Sequence, residues 1–82
     1  MKRIIDGDSL NIIGKKIRKA RLAAKITQQQ LSDKLETRAV YICRGSVSRI
    51  EMGQRIVTDI EIEAISEILN VSLEFLFSKD MK

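Results

Sequence analysis

The sequence predicts an all-α domain, and three observations support this prediction. The 82 residues contain no Pro and only four Gly, so few positions interrupt a helix. Ile and Leu recur every three or four residues along most of the chain, which is the spacing of an apolar helix face. Thr27 and Thr58 each stand three residues before a Gln or a Glu, a capping-box spacing that marks the start of a helix. We expect five short helices in one compact domain.

Composition limits both the size of the core and the class of protein. The chain has two Phe, one Tyr and no Trp, and its formal net charge is +4. The first observation predicts a small, aliphatic core, and the second permits a polyanionic partner without proving one. The single Cys43 leaves no internal disulfide and fits a reducing compartment. No stretch resembles a membrane span or a secretory signal, so we expect a cytoplasmic protein without membrane association.

The chain begins with an irregular segment that leads into a basic helix. Residues 1–10 show no apolar period, so we expect a flexible N-terminal arm; the alternative is an arm that contacts nucleic acid or a second copy. The first helix is expected over residues 11–25. Its apolar face is formed by Ile13, Ile17, Ala20 and Ala24. The same segment contains six basic residues and no acid: Lys15, Lys16, Arg18, Lys19, Arg21 and Lys25. Such a run is either a solvated face or an attraction for phosphate.

Two further short helices follow the basic helix. Thr27 is expected to cap the second helix, whose apolar face repeats at Leu31 and Leu35. The third helix is expected over about residues 44–52. Its inward residues are Val47 and Ile50, and its outward residues are polar or basic. Two short helices that meet at a turn, with basic side chains outward on the second, are typical of a helix-turn-helix unit.

The segment between these two helices, residues 36–43, has no helical period and is too apolar for a fully solvated loop. Either the second helix continues through Arg38 or beyond, or Val40 and Ile42 pack under the third helix as a short extended segment. Cys43 precedes the third helix and is expected to be a weak cap and a small, partly buried residue.

The last part of the sequence predicts two more helices and an acidic surface. Thr58 opens the fourth helix, Asn70 ends it and Ser72 caps the fifth. The fourth helix should bury Ile62, Ile65 and Leu69. A second apolar stripe, which a small monomer would leave uncovered, is formed by Ile60, Ala64 and Ile68. The segment 59–74 carries acids and no base, so this surface should point away from any polyanion. Residues 79–82 are expected to be a C-terminal tail.

An ordered set of motifs links the chain to a known family. The strings IGKKIRKAR, ITQQQLSDKL, SVSRIEMGQR and VTDIEIEAISEILNVSLEFLF, within residues 12–77, resemble the Cro and phage-repressor type of helix-turn-helix domain, also called the xenobiotic response element family. The chain resembles a subgroup with an extended turn before the recognition helix. The resemblance implies a compact five-helix, lambda-repressor-like DNA-binding domain over residues 11–78. It also implies double-stranded DNA as the partner and a homodimer formed through the C-terminal helices.

The resemblance also implies roles for particular residues. Base-reading residues would lie on the third helix: Arg44, Gly45, Ser46, Ser48 and Arg49. Contacts to the DNA backbone would come from Lys16, Lys19, Thr27, Gln28, Gln54 and Arg55. Arg21 and Glu51 would form a structural ion pair. The forked donors of the two base-reading arginines can pair with guanine O6 and N7 in the major groove.

These motifs bear on three classes of function. The first is a sequence-specific transcriptional regulator, in particular a prophage or bacterial repressor. The second is a protein-interaction module, such as an antitoxin-like partner-binding protein with secondary DNA binding. An enzyme is the weakest hypothesis, because the chain has no His and no nucleophile beside a base. We therefore expect no catalysis, no cofactor and no metal.

Overall fold

Five helices pack around one aliphatic core in the computed structural model, which describes residues 9–79. They are α1 (Gly14–Ala23), α2 (Gln28–Glu36), α3 (Arg44–Glu51), α4 (Asp59–Leu69) and α5 (Leu73–Phe77). Helices α1 and α2 both contact α3, and α4 and α5 close the opposite side of the bundle. The largest fully buried side chains include Ile13, Ile17, Leu31, Leu35, Ile50, Ile65 and Leu76. The all-α prediction is confirmed. Most of the predicted arm and tail, residues 1–8 and 80–82, lies outside the described residues.

The predicted helix starts at Thr27, Thr58 and Ser72 are confirmed by their hydrogen bonds. Thr27 Oγ1 accepts from the Gln30 amide at 3.0 Å, and the Gln30 side chain accepts from the Thr27 amide at 2.7 Å. The same reciprocal pair joins Thr58 to Glu61. Ser72 Oγ accepts from the Phe75 amide at 3.0 Å. These bonds satisfy amides that have no partner within the helix, which fixes where α2, α4 and α5 begin.

Each of four helices is followed, within three residues, by a residue with positive φ, and only one of these residues is a glycine. Gly53, two residues after the end of α3, has φ 74°, and Lys25, Ala39 and Asn70 have φ between 57° and 62°. After α3, the Gln54 amide donates to Arg49 O at 2.7 Å and the Gly53 amide to Ile50 O at 3.0 Å. The same two-bond pattern, a Schellman motif, follows α1, α2 and α4.

Replacing Ala39 with glycine is therefore expected to stabilise the domain. Ala39 is exposed and has φ 61°, and a β-carbon in the left-handed region costs roughly 1–2 kcal/mol. Glycine recovers most of that cost, although it adds freedom to the unfolded chain. We expect Ala39→Gly to raise the free energy of urea-induced unfolding by about 0.5–1 kcal/mol. Ala23→Gly, at the exposed last residue of α1, is the control and should lower it, because glycine is a poorer helix former than alanine. A shift of both variants in the same direction would contradict the prediction.

The connection between α2 and α3 begins with a turn over residues 37–39 and continues through residues 40–43 without helical structure. Helix α2 ends at Glu36, after which Val40 and Ile42 face the core while Tyr41 and Cys43 face outward. Ser32 Oγ donates to Ile42 O at 2.6 Å and ties this segment to α2. The second of the two sequence-based alternatives is therefore correct. The expectation that Cys43 is partly buried is wrong, because the alternation of the segment turns its thiol outward.

Two apolar residues lie differently from their predicted positions. Ala24 is exposed, because α1 ends at Ala23 and the chain leaves the helix axis one residue later. Ala64 is buried in α4, where the stripe pattern left it uncovered, because it belongs to the core cluster, against which Val40 of the α2–α3 connection also packs. The rest of that second stripe agrees better with the prediction, since Ile60 is exposed and Ile68 half-buried.

Candidate nucleic-acid interface

The third helix has one buried face and one accessible face. Val47, Ile50 and Glu51 are buried against α1 and α2. The accessible face carries all five residues predicted to read bases: Arg44 and Arg49 are exposed, and Gly45, Ser46 and Ser48 are half-buried. The exposed side chains are long cations, and the half-buried ones are short. A surface of this shape allows the helix to approach a partner closely while two guanidinium groups reach forward.

Hydrogen bonds fix part of this accessible face. Arg49 Nη2 donates to Ser46 Oγ at 3.0 Å, one turn earlier on the helix. The Ser46 hydroxyl also lies 3.5 Å from Cys43 Sγ, and this contact, with the Ser46 amide, lowers the pKa of the Cys43 thiol. Arg44 makes no hydrogen bond or ion pair within residues 9–79. Arg49 is thus held against α3, whereas the Arg44 side chain can move.

A buried ion pair joins α1 to the end of α3. Arg21 Nε donates to Glu51 Oε2 at 2.6 Å and Arg21 Nη2 to Glu51 Oε1 at 3.0 Å, with side chains only 8% and 1% exposed. Arg21 Nη1 donates to Ile26 O at 2.9 Å, and Gln28 Nε2 donates to Glu51 Oε1 at 3.0 Å. Because these bonds use both carboxylate oxygens, the charges are compensated in a desolvated site. The network fixes α1, the start of α2 and the end of α3 relative to one another.

The two lysines predicted to contact a DNA backbone occupy different environments. Lys19 is exposed on α1. Lys16 is half-buried: its Nζ donates to Ser78 Oγ at 2.7 Å and lies 5.0 Å from the centre of the Phe75 ring. Lys16 therefore packs against α5 and the residues that follow it. Its ammonium stabilises the contact between the first and last helices.

The loop after α3 holds Gln54 and Arg55. Gln54 has an exposed side chain, and its amide is already bonded to the end of α3. Arg55 Nη1 and Nη2 donate to the two carboxylate oxygens of Glu61, each at 3.0 Å. The Arg55 guanidinium lowers the pKa of the Glu61 carboxyl, and this carboxylate raises the pKa of Arg55. Arg55 is therefore fixed to α4.

Sequence reasoning did not single out Asn11, whose side chain bonds to the start of α1, to the last turn of α3 and to the loop after α3. Its Oδ1 accepts from the Gly14 amide at 2.8 Å, and its Nδ2 donates to Ile50 O at 3.0 Å and to Arg55 O at 2.8 Å. An Asn three residues before a helical Gly is a helix-start signal that could have suggested the first bond. Nothing local could have suggested the other two, because they join residues about forty positions apart.

The described residues contain neither a membrane-crossing helix nor a metal-holding cluster. No helix in residues 9–79 is long and apolar enough to span a bilayer. Within the same range, the Cys, Asp and Glu side chains form no group of three or more that could hold a metal ion.

Helices α2 and α3 form a helix-turn-helix unit whose second helix carries an accessible basic and polar face. This is the class of domain that reads double-stranded DNA. The family model described as "Helix-turn-helix" matches residues 17–76. The chain belongs to this Cro/C1-type helix-turn-helix family, and the resemblance drawn from the motifs is confirmed.

Two solved structures share the fold. The restriction-modification controller protein C.AhdI from Aeromonas hydrophila has 26% sequence identity and a TM-score of 0.69, over 79% of this chain and 87% of that chain. The P22 c2 repressor protein, solved with synthetic operator 9T in the presence of Tl+, has 23% identity and a TM-score of 0.70, over 85% of this chain and 98% of that chain. No curated protein sequence matches the chain. Family and fold agree on a DNA-binding transcriptional regulator and do not favour the protein-interaction module.

Proposed function

We propose that this protein is a homodimeric repressor that binds a near-palindromic operator in the cytoplasm of a bacterial cell and blocks transcription by occupying it. Helix α3 enters the major groove, and operator binding requires no cofactor and involves no catalysis. The observation that carries the proposal is the accessible face of α3, where Arg44 and Arg49 project beyond three short residues. Because the opposite face is buried in the core, this helix can present only one surface to a partner.

The two arginines are proposed to read guanines, and they differ in preorganisation. Arg49 is held by Ser46, so less side-chain freedom is lost when its guanidinium meets a base edge. Arg44 must be ordered on binding. Ser48 and Ser46 have hydroxyls that can bond a base or a phosphate, and Gly45 has no side chain to hold the helix away from the groove. The arginines therefore supply most of the base discrimination.

Backbone contacts are proposed from the start of α2 and from the neighbouring basic residues. The capping box uses the amides of Thr27 and Gln30, and this leaves the first free amides of α2 for a phosphate oxygen. Gln28 gives one amide hydrogen to Glu51 and keeps a second for the same phosphate. Lys19 adds an exposed charge. Lys16, Gln54 and Arg55 complete the proposed set, although Lys16 reaches a phosphate only by releasing Ser78.

The dimer is proposed to form through α5. Leu73 and Phe77 stand four residues apart on this helix and are 51% and 46% exposed, so they form an apolar ridge that a second copy would cover. Two-fold symmetry would place two α3 helices about 34 Å apart, or a multiple of that distance, along the operator. Glu61 pairs with Arg55, and the other acids of α4 would lie away from the phosphates, as their charge requires.

Selection of bound sequences from a random duplex library, at two salt concentrations, tests this function. A dyad-symmetric consensus that persists at the higher salt would support a dimeric, base-reading regulator and would give its half-site spacing. Binding without a consensus that collapses as salt rises would mean phosphate attraction alone, and would refute the proposed operator recognition. A transcription assay on the selected site then separates repression from activation.

Arg49→Ala is expected to weaken the selected operator more than random DNA. Removal of one bidentate guanine pairing should cost roughly 1–3 kcal/mol at the specific site, whereas binding to random duplexes is weakened only by the missing charge. The measurement is the ratio of the two dissociation constants at fixed salt.

Lys19→Ala is the matched control for Arg49→Ala, because it removes an exposed cation from α1 instead of α3. Both DNAs should bind more weakly to the same extent, and the slope of log affinity against log salt should fall by about 1. Equal losses of affinity for operator and random DNA in Arg49→Ala would contradict its base-reading role.

A further inference from the structure

We propose that Asn11 is a positioning residue for DNA binding: without touching DNA, it fixes the Gln54–Arg55 loop in the geometry that phosphate contact requires. This inference rests on the proposed function, because it concerns how that function's backbone contacts are held. Asn11 lies just before α1, and the loop lies between α3 and α4.

The amide of Asn11 uses all of its hydrogen-bonding capacity. Its Oδ1 accepts from the amide of the N-cap Ile13 at 3.1 Å and from the Gly14 amide, the first of α1, at 2.8 Å. Its Nδ2 donates to Ile50 O at 3.0 Å and Arg55 O at 2.8 Å. An amide group has two donor hydrogens, and each one reaches a different carbonyl. One side chain thus joins the start of α1, the last turn of α3 and the loop.

Ser9 and Leu10, which precede Asn11, contact the turn at Gly53 that follows α3. The Leu10 amide donates to Gly53 O at 2.7 Å. Ser9 lies directly on Gly53, since a β-carbon at that glycine would come within 2.9 Å of Ser9 Oγ. Residues 9–11 therefore form a strap across the Gly53 turn, and Asn11 supplies its only side-chain bonds to that turn within residues 9–79.

The loop that the strap holds is prepared for a phosphate. Arg55 gives its Nη1–Nη2 edge to Glu61, which leaves the Nε hydrogen and one Nη2 hydrogen on the other edge. These two parallel donors match two oxygens of a phosphate. Glu61 fixes the guanidinium and Asn11 fixes the carbonyl of the same residue, so Arg55 is held at both ends. A change at Asn11 should therefore displace the guanidinium from the phosphate.

Two substitutions separate the helix-capping role of Asn11 from its bridging role. Asn11→Ser keeps an oxygen that can accept from the first amides of α1, but it has no donor pair that reaches Ile50 O and Arg55 O. Asn11→Ala removes both roles. Ala23→Gly is the matched control, because it weakens α1 at an exposed site remote from the loop.

The test is operator affinity across salt concentrations, measured well below each variant's melting temperature. Asn11→Ser should reduce the slope of log affinity against log salt by about 1 for each phosphate that the loop no longer reaches, and Ala23→Gly should leave the slope unchanged. In a Gln54→Ala/Arg55→Ala background, Asn11→Ser should cause no further change. A wild-type slope for Asn11→Ser would overturn the inference, as would a further decrease in that background.

Amide exchange distinguishes failure of this inference from failure of the proposed function. In the free protein, Asn11→Ser should speed exchange of the Gln54 amide more than Ala23→Gly does, because the turn is released locally. If the wild-type protein selects no operator, the proposed function fails and the DNA role of Asn11 fails with it. If the wild type selects an operator but neither slope nor exchange changes in Asn11→Ser, only the positioning role is refuted.

Discussion

Arg21→Ala is expected to destabilise the domain more than any of the other single substitutions proposed for this chain. The carboxylate of Glu51 is 1% exposed, and without Arg21 it would keep, among residues 9–79, only the bond from Gln28. Removing one partner of a buried ion pair costs roughly 3–5 kcal/mol. For a domain of this size, each kcal/mol lowers the melting temperature by about 4–8 °C. Thermal unfolding followed by circular dichroism should therefore show a decrease in melting temperature of at least about 12 °C.

An exposed ion pair in the same chain provides the control. Arg38 bonds Glu67 on the surface, where the side chains are 43% and 53% exposed. Water already solvates these charges, so Arg38→Ala should cost less than about 1 kcal/mol. The double substitution Arg21→Met/Glu51→Leu should recover much of the stability that Arg21→Ala removes, because no unpaired charge stays buried. If Arg21→Ala melts like Arg38→Ala, the pair is not desolvated in solution.

The starts of α2 and α4 could be predicted from the sequence because their causes are local, whereas the first helix, expected over residues 11–25, is shorter at both ends. A Thr and a Gln or Glu three residues later bond to each other's backbone wherever they occur, so Thr27 and Thr58 mark helix starts without knowledge of the fold. Gly53 was recognisable for a similar reason, since a positive φ favours glycine. Lys25 and Ala39 adopt the same conformation with side chains that do not favour it, so nothing in the local sequence indicated these turns.

Side-chain partners in the candidate site could not be predicted because tertiary structure supplies them. The sequence predicts that Gln28 and Arg55 are basic or polar groups near a phosphate, but each also bonds a carboxylate from another part of the chain: Glu51 and Glu61, respectively. Lys16 belongs to a basic run, yet the position of α5 brings it to Ser78. The motif thus predicted the surface on which the site lies, while the packing of helices determined which donors remain free.

Two glycines near helix starts illustrate the difference between local propensity and tertiary packing. The same substitution, glycine to alanine, should have opposite effects on stability at the two positions. Local propensity favours alanine over glycine in a helix by roughly 1 kcal/mol, which predicts stabilisation at both Gly14 and Gly45. At Gly45, a β-carbon would meet only Arg49 Nη1, at 3.7 Å. Gly45→Ala should therefore raise the melting temperature, even if the added methyl group weakens operator binding.

At Gly14 the packing of α1 on α3 should reverse the sign. A β-carbon there would lie 2.2 Å from Ile50 O and 3.0 Å from Glu51 O, and both are backbone atoms that no rotamer change can move away. The two helices would have to separate, which would strain the Asn11 bonds to Gly14 and Ile50. Overpacking of this kind costs roughly 1–3 kcal/mol, so Gly14→Ala should lower the melting temperature by about 4 °C or more. If Gly14→Ala melted as high as Gly45→Ala, α1 would not pack this closely on α3, and the strap across the Gly53 turn would lose its support.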